Sequence, residues 1–106
     1  MSQRIYGLKN CDTCRKALKA LAGFELVDVR TDGIDEALLK AAFAQFGDAV
    51  LNTRSTTWRG LSESERAREP LALVVAHPAL MKRPLIEADG KLYLGWGKDV
   101  QAELLG

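Results

Sequence analysis

Two cysteines, Cys11 and Cys14, are the side chains of this chain best suited to covalent chemistry. They follow a short apolar run at residues 5–8 and a turn at Lys9, where a helix is predicted to begin. The unpaired amides of a first helical turn carry partial positive charge and favour a thiolate over a thiol. A free cysteine titrates near ~8.5, and this position lowers its pKa. We therefore expect Cys11 to be an exposed nucleophile and Cys14, one turn further in, to be placed to attack a mixed disulfide on Cys11.

The Cys-x-x-Cys spacing after a strand and a turn is typical of a thioredoxin-like redox site. Two other interpretations of the pair stay open. A zinc half-site needs two more ligands, and the remaining sequence offers no further cysteine and only His77 as histidine, so we expect no metal. Cys14 by itself could be a small buried hydrophobe, because free cysteine often packs in this way.

Length and composition predict one globular domain over residues 1–106. Of the 106 residues 47% are hydrophobic and 27% are charged, which is enough apolar material for a core. The net charge of +1 gives no support for nucleic-acid binding. The first residues lack the apolar core of a signal peptide, and no apolar run approaches the ~20 residues of a membrane span. We expect a monomer in the cytoplasm, where such thiol pairs act in catalysis or sensing.

Periodicity predicts the order β-α-β-α, then short helices, then β-β-α. Residues 24–29 carry apolar side chains on both faces, as a central strand of a covered sheet does, and follow a parallel crossover. Residues 30–33 are predicted as a loop. Asp35 is the expected cap of the next helix, which Gly47 ends, and residues 48–60 are predicted to be irregular.

The elements predicted after residue 60 are each marked by a few neighbouring residues. Ser62 and Glu65 form a capping-box pattern, and residues 71–76 are predicted as a buried helix. A hairpin is expected from strands at residues 85–88 and 91–94 around the Asp89-Gly90 turn. Residues 98–105 form the predicted last helix.

Four segments of the chain resemble the ArsC/Spx/YffB family, which contains the glutaredoxin-type arsenate reductases and their relatives. They read YGLKNCDTCRKA (residues 6–17), NTRSTTWRGL (52–61), HPALMKRPLI (77–86) and YLGW (93–96). The resemblance covers nearly the whole chain in the same order and is closest to the YffB branch. It implies an α/β, thioredoxin-like fold with a mixed four-stranded sheet and a helical insertion. It also implies a cis peptide bond before Pro84, with that proline facing the reactive cysteine.

The same resemblance implies the site residues. Cys11, Cys14, Arg59 and Arg83 are the expected catalytic residues, and Arg59, Arg83 and Pro84 are expected to bind glutathione. Arsenate reductases of this type hold the oxyanion with three arginines, of which two correspond to Arg59 and Arg83. The third falls on Trp96, whose neutral indole cannot make charged bidentate contacts, and this argues against arsenate turnover. Without the resemblance, the two arginines would be read as solvated charges or ion-pair partners.

The function implied is that of a glutathione-dependent thiol reductase, with glutathione as co-substrate and glutaredoxin as a further candidate partner. Two alternatives stay open: an arsenate reductase, and an Spx-like redox-sensing regulator that binds RNA polymerase. Cys14 favours the second alternative because members of the Spx branch carry such a pair. No nucleotide or flavin is implied, since the chain has no phosphate-cradling glycine motif.

Overall fold

The structure is a computed structural model that describes residues 3–105; Met1, Ser2 and Gly106 lie outside the described residues. In chain order the elements are β1 (Gln3–Gly7), α1 (Asp12–Ala20), β2 (Glu25–Asp28), α2 (Val29–Asp32), α3 (Glu36–Phe46), α4 (Thr56–Arg59), α5 (Glu63–Arg66), α6 (Pro70–Ala76), β3 (Leu85–Ala88), β4 (Lys91–Leu94) and α7 (Lys98–Leu105). The chain divides into two compact units. We call residues 3–32 with 83–105 the sheet unit, and residues 33–82 the helical unit.

The sheet unit contains a mixed four-stranded sheet in the order β2-β1-β3-β4. β1 runs parallel to β2 and antiparallel to β3, and β3 pairs antiparallel with β4. The predicted hairpin is confirmed. Its turn residues Asp89 and Gly90 have φ of 52° and 82°, the left-handed conformation that a tight two-residue hairpin turn requires.

The sheet unit buries one face of its sheet against α1 and α7. Helix α1 contributes Ala17 and Leu21, and Val100 comes from α7. This cluster fixes the direction in which α1 leaves the sheet, and therefore where its first turn stands. The whole cluster is Ile5, Ala17, Leu21, Ile86 and Val100, with Leu18, Phe24, Leu26, Tyr93, Trp96 and Leu104 packed against it.

The prediction of a central strand over residues 24–29 is wrong, because β2 lies at the edge of the sheet and pairs with β1. Its side chains alternate between two partly covered faces: Leu26 packs against the core cluster and Val27 is half-buried. An apolar pattern of this kind reports what covers the faces of a strand. It does not report how many neighbours the strand has along the sheet.

Two predicted irregular segments contain short helices instead. Residues 29–32 form α2, because the Asp28 carboxylate accepts hydrogen bonds from the amides of Arg30 and Thr31 at 2.9 and 3.2 Å. Within residues 48–60, a 3₁₀ turn covers Gly47–Val50 and α4 follows, capped by the Ser55 hydroxyl. Such short polar helices have no apolar period, so their caps are the signal that predicts them.

Several other local predictions fall in the helical unit. Asp35 caps α3 by accepting from the Ala37 amide at 3.2 Å, and Gly47 ends that helix. The capping box of Ser62 and Glu65 is present at the start of α5. The predicted helix over residues 71–76 is present as α6, which begins one residue earlier, at Pro70. It is buried only at Leu73 and Val74, while Val75 is exposed, so the prediction of a buried helix is wrong for part of its length. No helix within residues 3–105 is long and apolar enough to cross a lipid bilayer.

Candidate active site at the start of helix α1

Cys11 is the N-cap residue of α1, with φ −91° and ψ 120°. Its backbone N–H donates to the Leu8 carbonyl at 3.1 Å, and its own carbonyl accepts from the Arg15 amide at 3.0 Å. The turn at Lys9 and Asn10 therefore leads directly from β1 into the helix. Cys11 is a half-buried residue, so it is not enclosed in the core as Cys14 is.

The surroundings of Cys11 favour its thiolate. Partial burial acts to raise the pKa of Cys11, but the amide and the thiol of Cys14, the Arg83 guanidinium and the Thr13 amide outweigh it, and the net direction is downward. The two amides belong to the first turn of α1, where backbone N–H groups lack helical acceptors. Cys11 thus has the environment expected of a reactive cysteine.

Cys14 has the opposite character. Its side chain is fully buried, and burial raises its pKa to about 11, with the hydrogen bond to Cys11 acting in the same direction. The Cys14 thiol is therefore protonated at neutral pH and donates to the Cys11 sulfur. The two thiols therefore differ in acidity, because the pKa of Cys11 is lowered and that of Cys14 is raised.

Gly7, the last residue of β1, leaves the space that Cys14 occupies. A Cβ atom at this position would clash with the Cys14 sulfur. The sequence pattern does not by itself predict this role, because the contact joins a strand to the helix packed on it. A glycine just before a Cys-x-x-Cys turn was the available signal.

Arg83 and Pro84 enter the same unit immediately before β3. Arg83 is half-buried with its Nε atom removed from solvent, and its guanidinium hydrogen bonds with Cys11. Pro84 is buried, and its carbonyl accepts from the Gly95 amide at 2.8 Å. The Arg83–Pro84 peptide bond is cis, as the resemblance implies. The structure thus brings Cys11, Cys14 and Arg83 together within the sheet unit, with Pro84 next to Arg83 in the chain.

Arg59 belongs to the helical unit and lies at the exposed end of α4. Its carbonyl and that of Trp58 accept hydrogen bonds from the Arg66 guanidinium, each at 3.2 Å. That guanidinium also lies 5.4 Å from the centre of the Trp58 ring, so Trp58 serves packing within this unit. A joint action of Arg59 and Cys11 stays a prediction.

Trp96 packs against the core cluster of the sheet unit. Its carbonyl accepts from the Gln101 side chain at 2.9 Å. His77 lies 3.8 Å from Glu65 across the helical unit, in keeping with a structural role. Residues 3–105 contain no group of three or more His, Cys, Asp or Glu side chains placed to hold a metal ion.

A cysteine at the start of a helix, a mixed four-stranded sheet and a cis peptide bond before a proline that leads into a strand are features of the thioredoxin-like fold. A profile of the ArsC family matches residues 6–104, and the chain belongs to this family. A solved structure of a YffB protein has a TM-score of 0.89 at 32% identity and covers 99% of this chain and 100% of its own. The thioredoxin-like fold is thereby confirmed.

Two sequence relatives complete the comparison. An uncharacterized protein of Haemophilus influenzae is 44% identical over 108 residues, which is 92% of this chain and 95% of the relative. The global transcriptional regulator Spx of Bacillus subtilis is 29% identical over 105 residues, which is 90% of this chain and 80% of that protein. The chain is therefore similar both to YffB and to Spx, the two branches that its motifs indicate.

Proposed function

We propose that this protein is a thiol–disulfide oxidoreductase that uses Cys11 as its nucleophile and glutathione as its reductant. The observation that carries the proposal is the position of Cys11 at the N-cap of α1, where the first-turn amides, Cys14 and Arg83 lower its pKa. We place the reaction in the cytoplasm, where the glutathione pool keeps thiols reduced.

In the first step the Cys11 thiolate attacks one sulfur of a substrate disulfide. The substrate S–S bond breaks, a Cys11–substrate disulfide forms, and the released thiolate takes up a proton from water. Arg83 stabilises negative charge at the sulfur and orients an anionic substrate or a glutathione carboxylate. We assign the same binding role to Arg59, and we propose that Pro84 shapes the wall opposite the sulfur.

The mixed disulfide is then resolved by glutathione. One glutathione displaces the remaining substrate thiol and forms a Cys11–glutathione disulfide. A second glutathione attacks the glutathione sulfur, releases Cys11 and leaves as glutathione disulfide. Two electrons pass from two glutathiones to one substrate disulfide, and both substrate sulfurs leave as thiols.

Cys14 offers a second route, in which it loses its proton and attacks Cys11 to form an intramolecular disulfide. Burial raises the pKa of Cys14 and persists when Cys11 is in a mixed disulfide, so only a small fraction of Cys14 is ionised at pH 7. We therefore propose that attack by Cys14 is the slower route and that glutathionylated Cys11 accumulates first. Mass spectrometry over time after mild peroxide and glutathione should show glutathionylated Cys11 before the Cys11–Cys14 disulfide.

The test is reduction of a mixed disulfide between glutathione and a small thiol, followed by formation of glutathione disulfide. We expect Cys11→Ser to abolish turnover, and Cys14→Ser to retain a substantial part of it. Alkylation rates measured against pH on Cys14→Ser give the Cys11 midpoint. A midpoint at or above ~8.5, or full activity of Cys11→Ser, would overturn the proposal.

A redox-sensing regulator is the second candidate function, favoured by the similarity to Spx and by the cysteine pair. This candidate requires binding to RNA polymerase that changes when Cys11 and Cys14 form a disulfide. Co-purification of RNA polymerase with the reduced protein and with the oxidised protein tests it. Equal binding in the two states, or no binding in either, contradicts it.

A further inference from the structure

Asp28 is a buried residue of the sheet unit, only 8% exposed. Burying a carboxylate is costly unless hydrogen bonds compensate it, so Asp28 needs partners within the fold. It is the last residue of β2 and pairs in register with Gly7, the last residue of β1. Because these strands are parallel, their carboxyl ends meet at one edge of the sheet. Asp28 therefore lies at the edge from which the chain turns into the cysteine helix.

The two carboxylate oxygens of Asp28 serve two different segments. Oδ1 accepts from the amides of Arg30 and Thr31, in the manner of an N-cap residue for α2. Oδ2 accepts from the amide of Lys9 at 3.1 Å, across 19 positions of the chain. The Lys9 amide is also the largest of the influences that lower the pKa of Asp28, which is therefore a carboxylate at neutral pH.

The backbone carbonyl of Lys9 is also held by a hydrogen bond. It accepts from Arg15 Nε at 2.9 Å, and Arg15 belongs to α1. Arg15 in turn lies 3.8 Å from Asp12, one helical turn before it. The turn before Cys11 is thus bound through its N–H by β2 and through its carbonyl by α1.

We propose that Asp28 is a positioning residue for Cys11: by holding the Lys9 amide it fixes the turn that sets the Cys11 sulfur against the first-turn amides of α1. The inference rests on the proposed role of Cys11 as the nucleophile. Two simpler roles compete with it. Asp28 could act only as the cap of α2, or only as a buried negative charge.

The three roles predict different shifts of the Cys11 alkylation midpoint. A nearby negative charge disfavours a thiolate, so loss of charge alone moves the midpoint down. Loss of the cap of α2 alone leaves it unchanged. Loss of positioning moves it up, toward the value of a free cysteine, because the helix amides no longer face the sulfur.

The experiment measures this midpoint for Asp28→Ser, with Cys14→Ser as background so that Cys11 alone is alkylated. Serine keeps a good cap for α2, but its single short hydroxyl leaves the Lys9 amide without an acceptor. We expect the midpoint to rise by at least about 0.5 pH unit, roughly a threefold fall in the acid dissociation constant of Cys11. The control is Asp35→Ala, which removes a carboxylate that caps α3 through Ala37, and there we expect no shift.

Asp28→Glu provides a second variant that keeps the charge and moves its oxygens by one methylene group. Positioning predicts a rise in the midpoint here too, whereas a pure charge effect predicts none. This variant carries the test if circular dichroism shows that Asp28→Ser does not fold. An unchanged or lowered midpoint in the folded variants overturns the inference.

The glutathione exchange assay on the same proteins separates this inference from the proposed function. Exchange by the wild type together with an unchanged midpoint in the variants removes the positioning role alone. A midpoint that rises in the variants, in a protein that reduces no disulfide, keeps the positioning role and removes the proposed function.

Discussion

The sheet unit and the helical unit each carry one of the two arginines implied by the family resemblance, and the two differ in their surroundings. Arg83 is half-buried in the sheet unit and lowers the pKa of Cys11. Arg59 is exposed on a four-residue helix of the helical unit. The comparison teaches that two arginines implied by one family motif can have different surroundings, one half-buried and hydrogen-bonded to a cysteine, the other exposed. The sheet unit by itself already contains a cysteine with a lowered pKa.

Two carboxylates extend the comparison. The pKa of Asp28 in the sheet unit is lowered first by the Lys9 amide, and that of Glu65 in the helical unit first by the Ser62 amide. Asp28 is buried and joins distant segments, while Glu65 stands in a local capping box near the surface. The same chemistry therefore supports tertiary structure in one unit and a single helix start in the other.

Placing an arginine at position 96, the third arginine position that the family resemblance implies, tests the contrast most strongly. We expect arsenate reduction by the wild type to be weak or absent, and Trp96→Arg to raise it. One charge-assisted contact is worth roughly 1.5–3 kcal/mol, or about one to two orders of magnitude in rate. Glutathione exchange should change much less, because it needs fewer oxyanion contacts.

The arsenate assay compares the wild type with Trp96→Arg, and Cys11→Ser is the inactive control. Thermal unfolding of Trp96→Arg accompanies it, since Trp96 packs against the core cluster. Rapid arsenate turnover by the wild type would contradict this expectation and favour an arsenate reductase.

Filling the space at Gly7 should destabilise the sheet unit, because a methyl group there meets the buried Cys14 sulfur. We expect Gly7→Ala to lower the free energy of unfolding by about 1–3 kcal/mol. Gly60→Ala is the matched control in the helical unit. Its Cβ would lie 3.6 Å from the Thr56 and Thr57 carbonyl oxygens, an ordinary contact, so we expect a change within about 0.5 kcal/mol.

A double-mutant cycle tests whether the clash with Cys14 causes the loss of stability in Gly7→Ala. Urea unfolding of Gly7→Ala, Cys14→Ala and the double variant gives the coupling between the two positions. We expect the double variant to recover part of the lost stability, because alanine at position 14 removes the sulfur. Strictly additive losses would show that the clash with Cys14 is not the cause.

Removing each family arginine in turn tests the comparison directly. We expect Arg83→Gln to raise the Cys11 alkylation midpoint by about one pH unit, or ~1.4 kcal/mol, because a neighbouring cation favours the thiolate. Arg59→Gln should shift the midpoint less. A shift at Arg59 equal to or larger than that at Arg83 would reverse the ranking of the two arginines.

The smallest expected effect is a loss of stability in acid that depends on Asp28. Its folded-state pKa lies below its unfolded value, so its contribution is present above pH ~3.9 and is lost as pH falls through the folded value. The difference in unfolding free energy between wild type and Asp28→Ser should therefore shrink below pH ~4. Urea unfolding of the two proteins at a series of pH values measures this difference in unfolding free energy. A difference that stays constant down to pH 2 would contradict the prediction.

Features marked by neighbouring residues could be predicted from the sequence. The hairpin around Asp89-Gly90, the helix from Asp35 to Gly47 and the capping box at Ser62 depend on chain-local signals, and all are present. The edge position of β2 could not be predicted, because strand neighbours are set by pairing across the sheet. The sequence pattern does not predict α2, because it places the cap residue, Asp28, inside a strand.

The site divides in the same way. The spacing of Cys11 and Cys14 indicated thiol chemistry directly, whereas Arg83 and Pro84 came from the family resemblance and from no local pattern. Asp28 and Gly7 escaped sequence reasoning because each acts on a partner brought near by packing: the Lys9 amide for Asp28, the Cys14 sulfur for Gly7.

The sequence by itself determined that this protein places two thiols at the start of a helix after a strand. Tertiary structure decided which of them ionises readily. Cys11 is half-buried among amides and a guanidinium that lower its pKa, while Cys14 is enclosed in the sheet unit, where burial raises its pKa to about 11. The physical reason is that the charge on a thiolate is stabilised by nearby dipoles and solvent, and both depend on how the strands and helices pack.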